Sequence, residues 1–202
     1  KNPNDVACMI LEPIQGEGGD NHFRQEYFKE LKILSLENDF LLIYDEVQTG
    51  VGITGKMWAH QYFPSKIDNN SYCEKMEPDI ISFGKKTQCC GIFAGARLDE
   101  VENHVFKESS RINSTFGGNL VDMVRYTIYL ELIDKENLLK MASENGNYLL
   151  SSLITLQNDN SELISNVRGK GLFCAYDLPT VKQRDELIKN MEKADETQKN
   201  RQ

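Results

Sequence analysis

Several features that would assign a protein to a specialised class are scarce in this sequence. No apolar stretch approaches the roughly 18 residues that a membrane-spanning helix needs, so no membrane partner is expected. Positive charge is in deficit: Lys and Arg number 23 against 31 Asp and Glu, for a net charge of −8. A phosphate backbone calls for a basic face, so nucleic acid is not expected as a partner either. The five cysteines (Cys8, Cys73, Cys89, Cys90 and Cys174) form no C-x-x-C pair, and the adjacent Cys89-Cys90 is poorly placed for a disulfide. That usage suits reduced thiols and a cytoplasmic location better than a disulfide framework or a zinc site. The three histidines, His22, His60 and His104, stand in no metal-ligand spacing. Each is read as a surface or a satisfied core residue, and no metal is expected. Nucleophile-elbow, Walker A and dinucleotide-fingerprint motifs are absent. There is no initiator methionine before Lys1-Asn2-Pro3 and no recognisable signal peptide. The chain closes in a charged tail, residues 193–202, and a fragment cut at both ends is expected.

What remains is the composition of a globular protein, 40% hydrophobic and 27% charged. The 202 residues suffice for one ordinary domain, or one domain and part of a second. The organising stretch is Leu41-Leu42-Ile43-Tyr44-Asp45-Glu46-Val47-Gln48-Thr49-Gly50. A short apolar run bounded by turn signals reads as a buried strand. In an open α/β sheet ligands bind outside the carboxyl ends of such strands, and Asp45 and Glu46 stand at that end. A carboxylate there is costly to bury unless a cation meets it.

Residues 6–11 form a second such run, ending in Glu12-Pro13 and followed by the glycine-rich loop Gly16-Glu17-Gly18-Gly19-Asp20. Apolar residues at helical spacing predict a helix over 21–38. Strand, helix, strand makes a βαβ unit with parallel strands. The loop after Gln48 is glycine-rich without matching a phosphate-cradle motif. A short helix is expected over 57–62 and a polar surface insertion over 64–76. Pro78-Asp79-Ile80-Ile81-Ser82-Phe83 reads as a third strand running into Gly84-Lys85-Lys86, which aims a lysine at the same crevice as Asp45. Further expectations are a strand over 92–96, a helix over 99–106, helices over 120–135 and 137–156, a half-exposed strand over 172–178 and a charged helix from 180. Between them, residues 109–119 form a polar loop whose hydroxyls and backbone N–H groups can hold an anion.

A carboxylate at one strand end and a lysine at another have a joint chemical use. Pyridoxal phosphate is an aldehyde on a pyridine ring. Lysine condenses with the aldehyde, an aspartate keeps the ring nitrogen protonated, and an anion-holding loop takes the phosphate. Asp45, Lys85 and the Ser114-Thr115 loop match these roles by residue type.

The motifs Glu12-Pro13-Ile14-Gln15-Gly16-Glu17-Gly18-Gly19-Asp20, Asp45-Glu46-Val47-Gln48-Thr49-Gly50 and Pro78-Asp79-Ile80 leading to Lys85 resemble, in this order, the class III aminotransferases of fold type I. Phe83-Gly84-Lys85-Lys86-Thr87-Gln88 and the loop from Ser109 to Asn119 are most similar to the branch that acts on the ε-amino group of L-lysine. The resemblance implies an α/β fold: part of a pyridoxal-phosphate-binding large domain with a mainly parallel sheet and flanking helices, residues 1–140, and the start of a smaller α+β domain, residues 141–202, the boundary falling within 135–155. It implies Lys85 as the lysine that condenses with the cofactor and shuttles protons, Asp45 at the pyridine nitrogen, Gln48 near the phenolic oxygen, and Ser114 and Thr115 at the cofactor phosphate. Thr115 would serve the partner subunit of a homodimer. On the substrate side it implies Glu17 as the acid that distinguishes amino donor from 2-oxoglutarate, Glu12 as support for that loop, and Asn113. Lys86 is read as a solvated charge.

The implied reaction moves the ε-amino group of lysine to 2-oxoglutarate, giving 2-aminoadipate 6-semialdehyde and glutamate. The family's phosphate-binding turn, ring-stacking aromatic and substrate-carboxylate arginines match no residue here, so the chain alone is expected to turn over poorly. Two alternatives stand beside this reading. One changes the donor to 4-aminobutyrate or ornithine. The other is a non-catalytic scaffold in which Asp45 and Lys85 form a buried ion pair.

Overall fold

The three apolar runs of the first half are β1 (Cys8–Leu11), β2 (Leu41–Asp45) and β3 (Ile80–Phe83), and they pair side by side as parallel strands. The computed structural model describes residues 5–63, 77–115 and 117–199. The expected insertion over 64–76, with Cys73 in it, lies outside the described residues, as does Phe116. Register is continuous across the sheet: Ile10 stands beside Ile43, Ile43 beside Ile80, and Asp45 beside Ser82. The crossover helix α1 (Gln25–Glu37) completes the βαβ unit.

α1 begins later than its periodicity suggests. Asn21 is used in closing the preceding loop, its carbonyl accepting from Gln15 N at 3.0 Å and its amide donating to Gln15 Oε1 at 2.7 Å. The helix buries Phe28 and Leu31 against Leu42 and Tyr44 of β2, with Met9, Leu11 and Phe63 packed around them. Phe28 stacks on Phe63 at 3.8 Å between centroids and meets the Tyr44 ring edge-on at 5.6 Å. Such aromatic pairs add stabilisation beyond the area they bury.

β1 is not the fully buried strand expected. Among the described residues its two faces differ: Met9 and Leu11 lie half-buried on the α1 side, whereas Ile10 on the other side is 60% exposed. Asp45 shares that second face, because side chains alternate along a strand. β4 (Gly91–Ala94) pairs with β3 in the antiparallel sense. The connection from Phe83 to Gly91 is too short for a parallel crossover, which takes roughly a dozen residues. The expected helix over 99–106 is absent. A single 3₁₀ turn (Ala96–Glu100) ends at the extended Val101, and Val101, Val105 and Phe106 remain exposed.

α2 (Leu120–Lys135) and α3 (Leu138–Asp159) follow, separated by Asn137 in the left-handed region at φ 53°. A second sheet is the hairpin of β5 (Ser165–Lys170) and β6 (Phe173–Asp177), and α4 (Val181–Lys199) closes the described chain. β5 has no apolar alternation to reveal it. It is specified by its partner and by Gly171, which turns the chain at φ 55°. The mainly parallel first sheet and the α+β character of the second half agree with the fold class expected.

A buried ion cluster locks the first sheet. Asp79, only 4% exposed, receives Lys32 Nζ at 3.0 Å and Arg97 Nη1 at 3.2 Å, and its Oδ2 accepts from Leu42 N at 2.7 Å. Its own N–H donates to Leu42 O at 2.8 Å and its carbonyl accepts from Gly95 N at 2.8 Å. Arg97 also donates to Phe40 O, Ser35 O and Asp39 Oδ1. Lys32, which the amphipathic pattern places on the polar side of α1, is therefore 5% exposed. Removing one partner strands the others without compensation. Asp79→Ala is expected to lower the unfolding free energy by about 3–5 kcal/mol, read as a fall in the urea midpoint at unchanged slope; a loss of less than about 1 kcal/mol, the scale of a surface pair, would contradict the structural role given to Asp79.

Candidate active site

The two acids that end β2 diverge, because consecutive side chains on an extended strand point to opposite faces. Glu46 turns inward and is 1% exposed. Its Oε2 accepts from Thr49 Oγ1 at 2.6 Å and Ala59 N at 3.0 Å, and its Oε1 from His60 N and His60 Nδ1, both at 2.9 Å. Four hydrogen bonds, one from a histidine ring, thus take the place of the cation expected at this strand end. Asp45 faces the other way and is half-buried. Its Oδ1 accepts from Val47 N at 3.0 Å. Beside it opens a cleft of about 380 Å³ lined by Ile10, Leu11, Glu12, Gln15, Phe23, Tyr27 and Asp45.

β3 brings up the amines. Lys85 begins a 3₁₀ turn (Lys85–Thr87) at φ 51° and its side chain is exposed. Among the described residues no ion pair joins it to Asp45, so the buried pair on which the scaffold alternative rests is not formed. Lys86 is not the solvated charge expected. It is half-buried and its Nζ donates to Gln48 O at 2.6 Å. Burial lowers its pKa from the ordinary lysine value, the neighbouring Lys85 charge adds to the lowering, and Glu46 opposes it. The two adjacent lysines therefore differ: Lys86 ties two strand ends together, and Lys85 has its side chain exposed.

The loop after β1 meets the same region. Glu12 Oε2 accepts from Gly16 N at 2.9 Å, so Glu12 braces the loop from within. Gly16 is buried against the Gln48 amide, and a Cβ there would overlap it. Gln48 is thus held by its carbonyl through Lys86 and by its side chain at Gly16. Glu17 stands exposed at the tip. The second loop is separate: Asn113, Ser114 and Thr115 are exposed, Ser114 Oγ accepts from Gly117 N at 3.1 Å, and Asn119 caps α2 by accepting from Val121 N at 3.0 Å. Among the described residues this loop shares no hydrogen bond with Asp45, Gln48 or Lys85.

Three residues escape a reading by sequence alone. Glu46 looks equivalent to Asp45 until the alternation of faces is known. Ser82 stands at the register position beside Asp45, and its buried Oγ has no hydrogen-bond partner among the described residues. His22 is neither surface nor satisfied: its Nε2 is buried without a hydrogen-bond partner among the described residues. The donor set fits pyridoxal phosphate. Among the described residues, a lysine amine outside any ion pair, a carboxylate with one oxygen engaged by a single N–H and an orphaned hydroxyl alongside stand at adjacent strand ends. Among the described residues no group of three or more His, Cys, Asp or Glu is placed to hold a metal, and no helix is long and apolar enough to cross a membrane.

A mainly parallel sheet with an acid and a lysine at neighbouring carboxyl ends fits the class of pyridoxal-phosphate aminotransferases. The family model described as aminotransferase class-III matches residues 1–196, and this chain belongs to that family. It is 50% identical over 189 residues to the L-lysine-epsilon aminotransferase of Mycobacterium tuberculosis, covering 94% of this chain and 40% of that protein. It is 35% identical over 190 residues to the mitochondrial 4-aminobutyrate aminotransferase of Sus scrofa, covering 93% and 35%. A solved lysine aminotransferase from M. tuberculosis superposes with a TM-score of 0.85 at 49% identity, covering 94% of this chain and 41% of that one. The chain thus spans about two fifths of the length of the lysine enzyme it matches.

Because the carboxylate of Glu46 accepts from all sides, an amide cannot replace it without presenting N–H to N–H. Glu46→Gln is expected to cost about 1.5–3 kcal/mol of stability, the scale of a hydrogen bond to a charged group, measured by chemical denaturation. A variant as stable as the parent would show that the four contacts are not jointly made.

Proposed function

We propose that the full-length protein is a pyridoxal-phosphate-dependent transaminase that moves the ε-amino group of L-lysine to 2-oxoglutarate, giving 2-aminoadipate 6-semialdehyde and glutamate. The observation that carries this is the parallel register of β2 and β3, which sets Asp45 beside Ser82 and Lys85 in the turn that follows, both at carboxyl ends of the sheet. Lys85 is the group that holds the cofactor aldehyde and moves protons at the reacting carbon. The Asp45 carboxylate retains the proton on the ring nitrogen. When bound, the cofactor supplies the electron sink that stabilises negative charge next to the amine nitrogen. Gln48 borders the ring, steadied by Lys86 and Gly16, and Glu17 meets the substrates with Glu12 as its brace.

Ser114 and Thr115, with Asn113 beside them, are assigned to a second subunit's cofactor phosphate and substrate side. Their exposure, and the absence among the described residues of a hydrogen bond to their own Lys85, support a homodimer in which the loop serves across the interface. The division into a cofactor-binding part, residues 1–140, and a smaller C-terminal part, residues 141–202, belongs to the same proposal. So does a cytoplasmic location, with Cys8, Cys89, Cys90 and Cys174 all unpaired. Lysine is preferred over 4-aminobutyrate as donor because identity to the lysine enzyme is 50% against 35%.

The test is glutamate formation from 2-oxoglutarate by the full-length protein with L-lysine, 4-aminobutyrate or L-ornithine. Lysine is expected to give kcat/KM about tenfold or more above either competitor, which corresponds to a difference of about 1.4 kcal/mol in transition-state binding. Lys85→Ala is expected to abolish turnover with all three. A competitor outrunning lysine would change the substrate, and activity surviving Lys85→Ala would overturn the chemistry.

A further inference from the structure

The loop that carries Glu17 is held by a side chain from far along the sequence. Arg168 of β5 donates Nε to Asp20 O at 2.7 Å and Nη2 to Gly19 O at 3.0 Å. Its Nη1 donates to Asn166 O and to Asp177 Oδ1, both at 2.8 Å. The Arg168 side chain is 14% exposed. Every nitrogen of the fork is thus engaged in a fixed plane, which a lysine's single ammonium cannot reproduce. Gly19 and Asp20 both have positive φ, 116° and 50°, so the backbone bends there and their carbonyls meet the fork.

On the other side of Glu17, Gly16 is pinned by Glu12. Glu17 therefore stands between two anchors, one local and one reaching across the fold. The hairpin that carries Arg168 is itself seated. Leu172 N donates to Ile53 O at 2.9 Å, and the turn at Gly171 lies against the Thr54 backbone with no room for a side chain. His22 occupies the same joint, its ring 6.3 Å from that of Phe173. Burial, then Arg168 and Lys170, hold its pKa down to about 4 against the opposing Asp20. It is neutral at neutral pH and leaves Arg168 and Lys170 as the charges facing the loop from β5.

We propose that Arg168 is a positioning residue for substrate recognition: by clamping the Gly19 and Asp20 carbonyls it sets where Glu17 stands, so the C-terminal hairpin tunes binding at the site of the first sheet. This rests on the reading of Glu17 as the acid that meets the substrates.

The experiment compares Arg168→Gln, Arg168→Lys, Glu17→Gln and the double variant R168Q/E17Q in the full-length holoenzyme. Arg168→Gln is expected to raise KM for the donor or for 2-oxoglutarate by about tenfold, with kcat within about threefold and the cofactor absorbance unchanged. Amides of residues 16–20 are expected to exchange faster with solvent. Arg168→Lys should recover part of the KM loss. The double variant should be no worse than Glu17→Gln alone, since two residues acting through one element are not additive. If Arg168→Gln does not fold, Arg168→Lys carries the same comparison. Additive effects, or a fall in kcat at unchanged KM while Glu17→Gln raises KM, would overturn the role of Arg168 alone. A Glu17→Gln enzyme with unchanged KM would overturn the reading of Glu17 and this inference with it.

Discussion

Asp79 precedes β3 and clasps β2 through both backbone and side chain: its N–H meets Leu42 O, its Oδ2 meets Leu42 N, and Lys32 and Arg97 neutralise it from α1 and from the turn after β4. A carboxylate buried at this depth is tolerable only with those partners. The partners in turn specify which residue of β3 lies beside which residue of β2. A one-residue slip would send Ser82 to the opposite face and carry the Lys85 turn away from Asp45. The candidate site therefore depends on an ion cluster at the opposite end of the strands. Its residues lie outside the cleft and its effect is geometric.

Three acids near one sheet show how neighbours set the use of one functional group. Asp79 is saturated by two cations and an N–H. Glu46 is saturated by four donors and is 1% exposed. Among the described residues Asp45 accepts from a single N–H, and it borders the cleft. Unspent hydrogen-bonding capacity next to a cavity is what a ligand requires, and Asp45 alone of the three has it. The adjacent lysines divide in the same way. Lys86 is committed to Gln48 O, and Lys85 is exposed.

Most of the first sheet was legible because each strand is a short apolar run closed by turn residues, and the helix between two of them has clear period. The βαβ unit, the mainly parallel sheet, α2, α3 and α4 follow from such patterns. Cross-chain contacts were not legible. Lys32 reads as solvent-facing because nothing local announces that Asp79 will lie beneath it. β5 escapes because Ser-Asn-Val-Arg-Gly-Lys has no alternation, its strand state coming from pairing with β6. The candidate helix over 99–106 gives way to a 3₁₀ turn from which the chain leaves in an extended conformation at Val101. At the site, residue types and order pointed to Asp45, Lys85, Gln48 and the two glycine-containing loops through a family resemblance. The inward turn of Glu46, the tie from Lys86 and the clamp from Arg168 required coordinates.

Lys85 and Lys86 are identical in chemistry and adjacent in sequence, so the proposed chemistry turns on which of them condenses with the cofactor. It is tested by loading the full-length protein with pyridoxal phosphate, reducing with borohydride and mapping the modified peptide by fragmentation mass spectrometry. Label on Lys85 with Lys86 unmodified is expected, because the Lys86 amine is held by Gln48 O. Label on Lys86, or on neither lysine in a folded protein, would contradict the geometry on which the proposed chemistry stands.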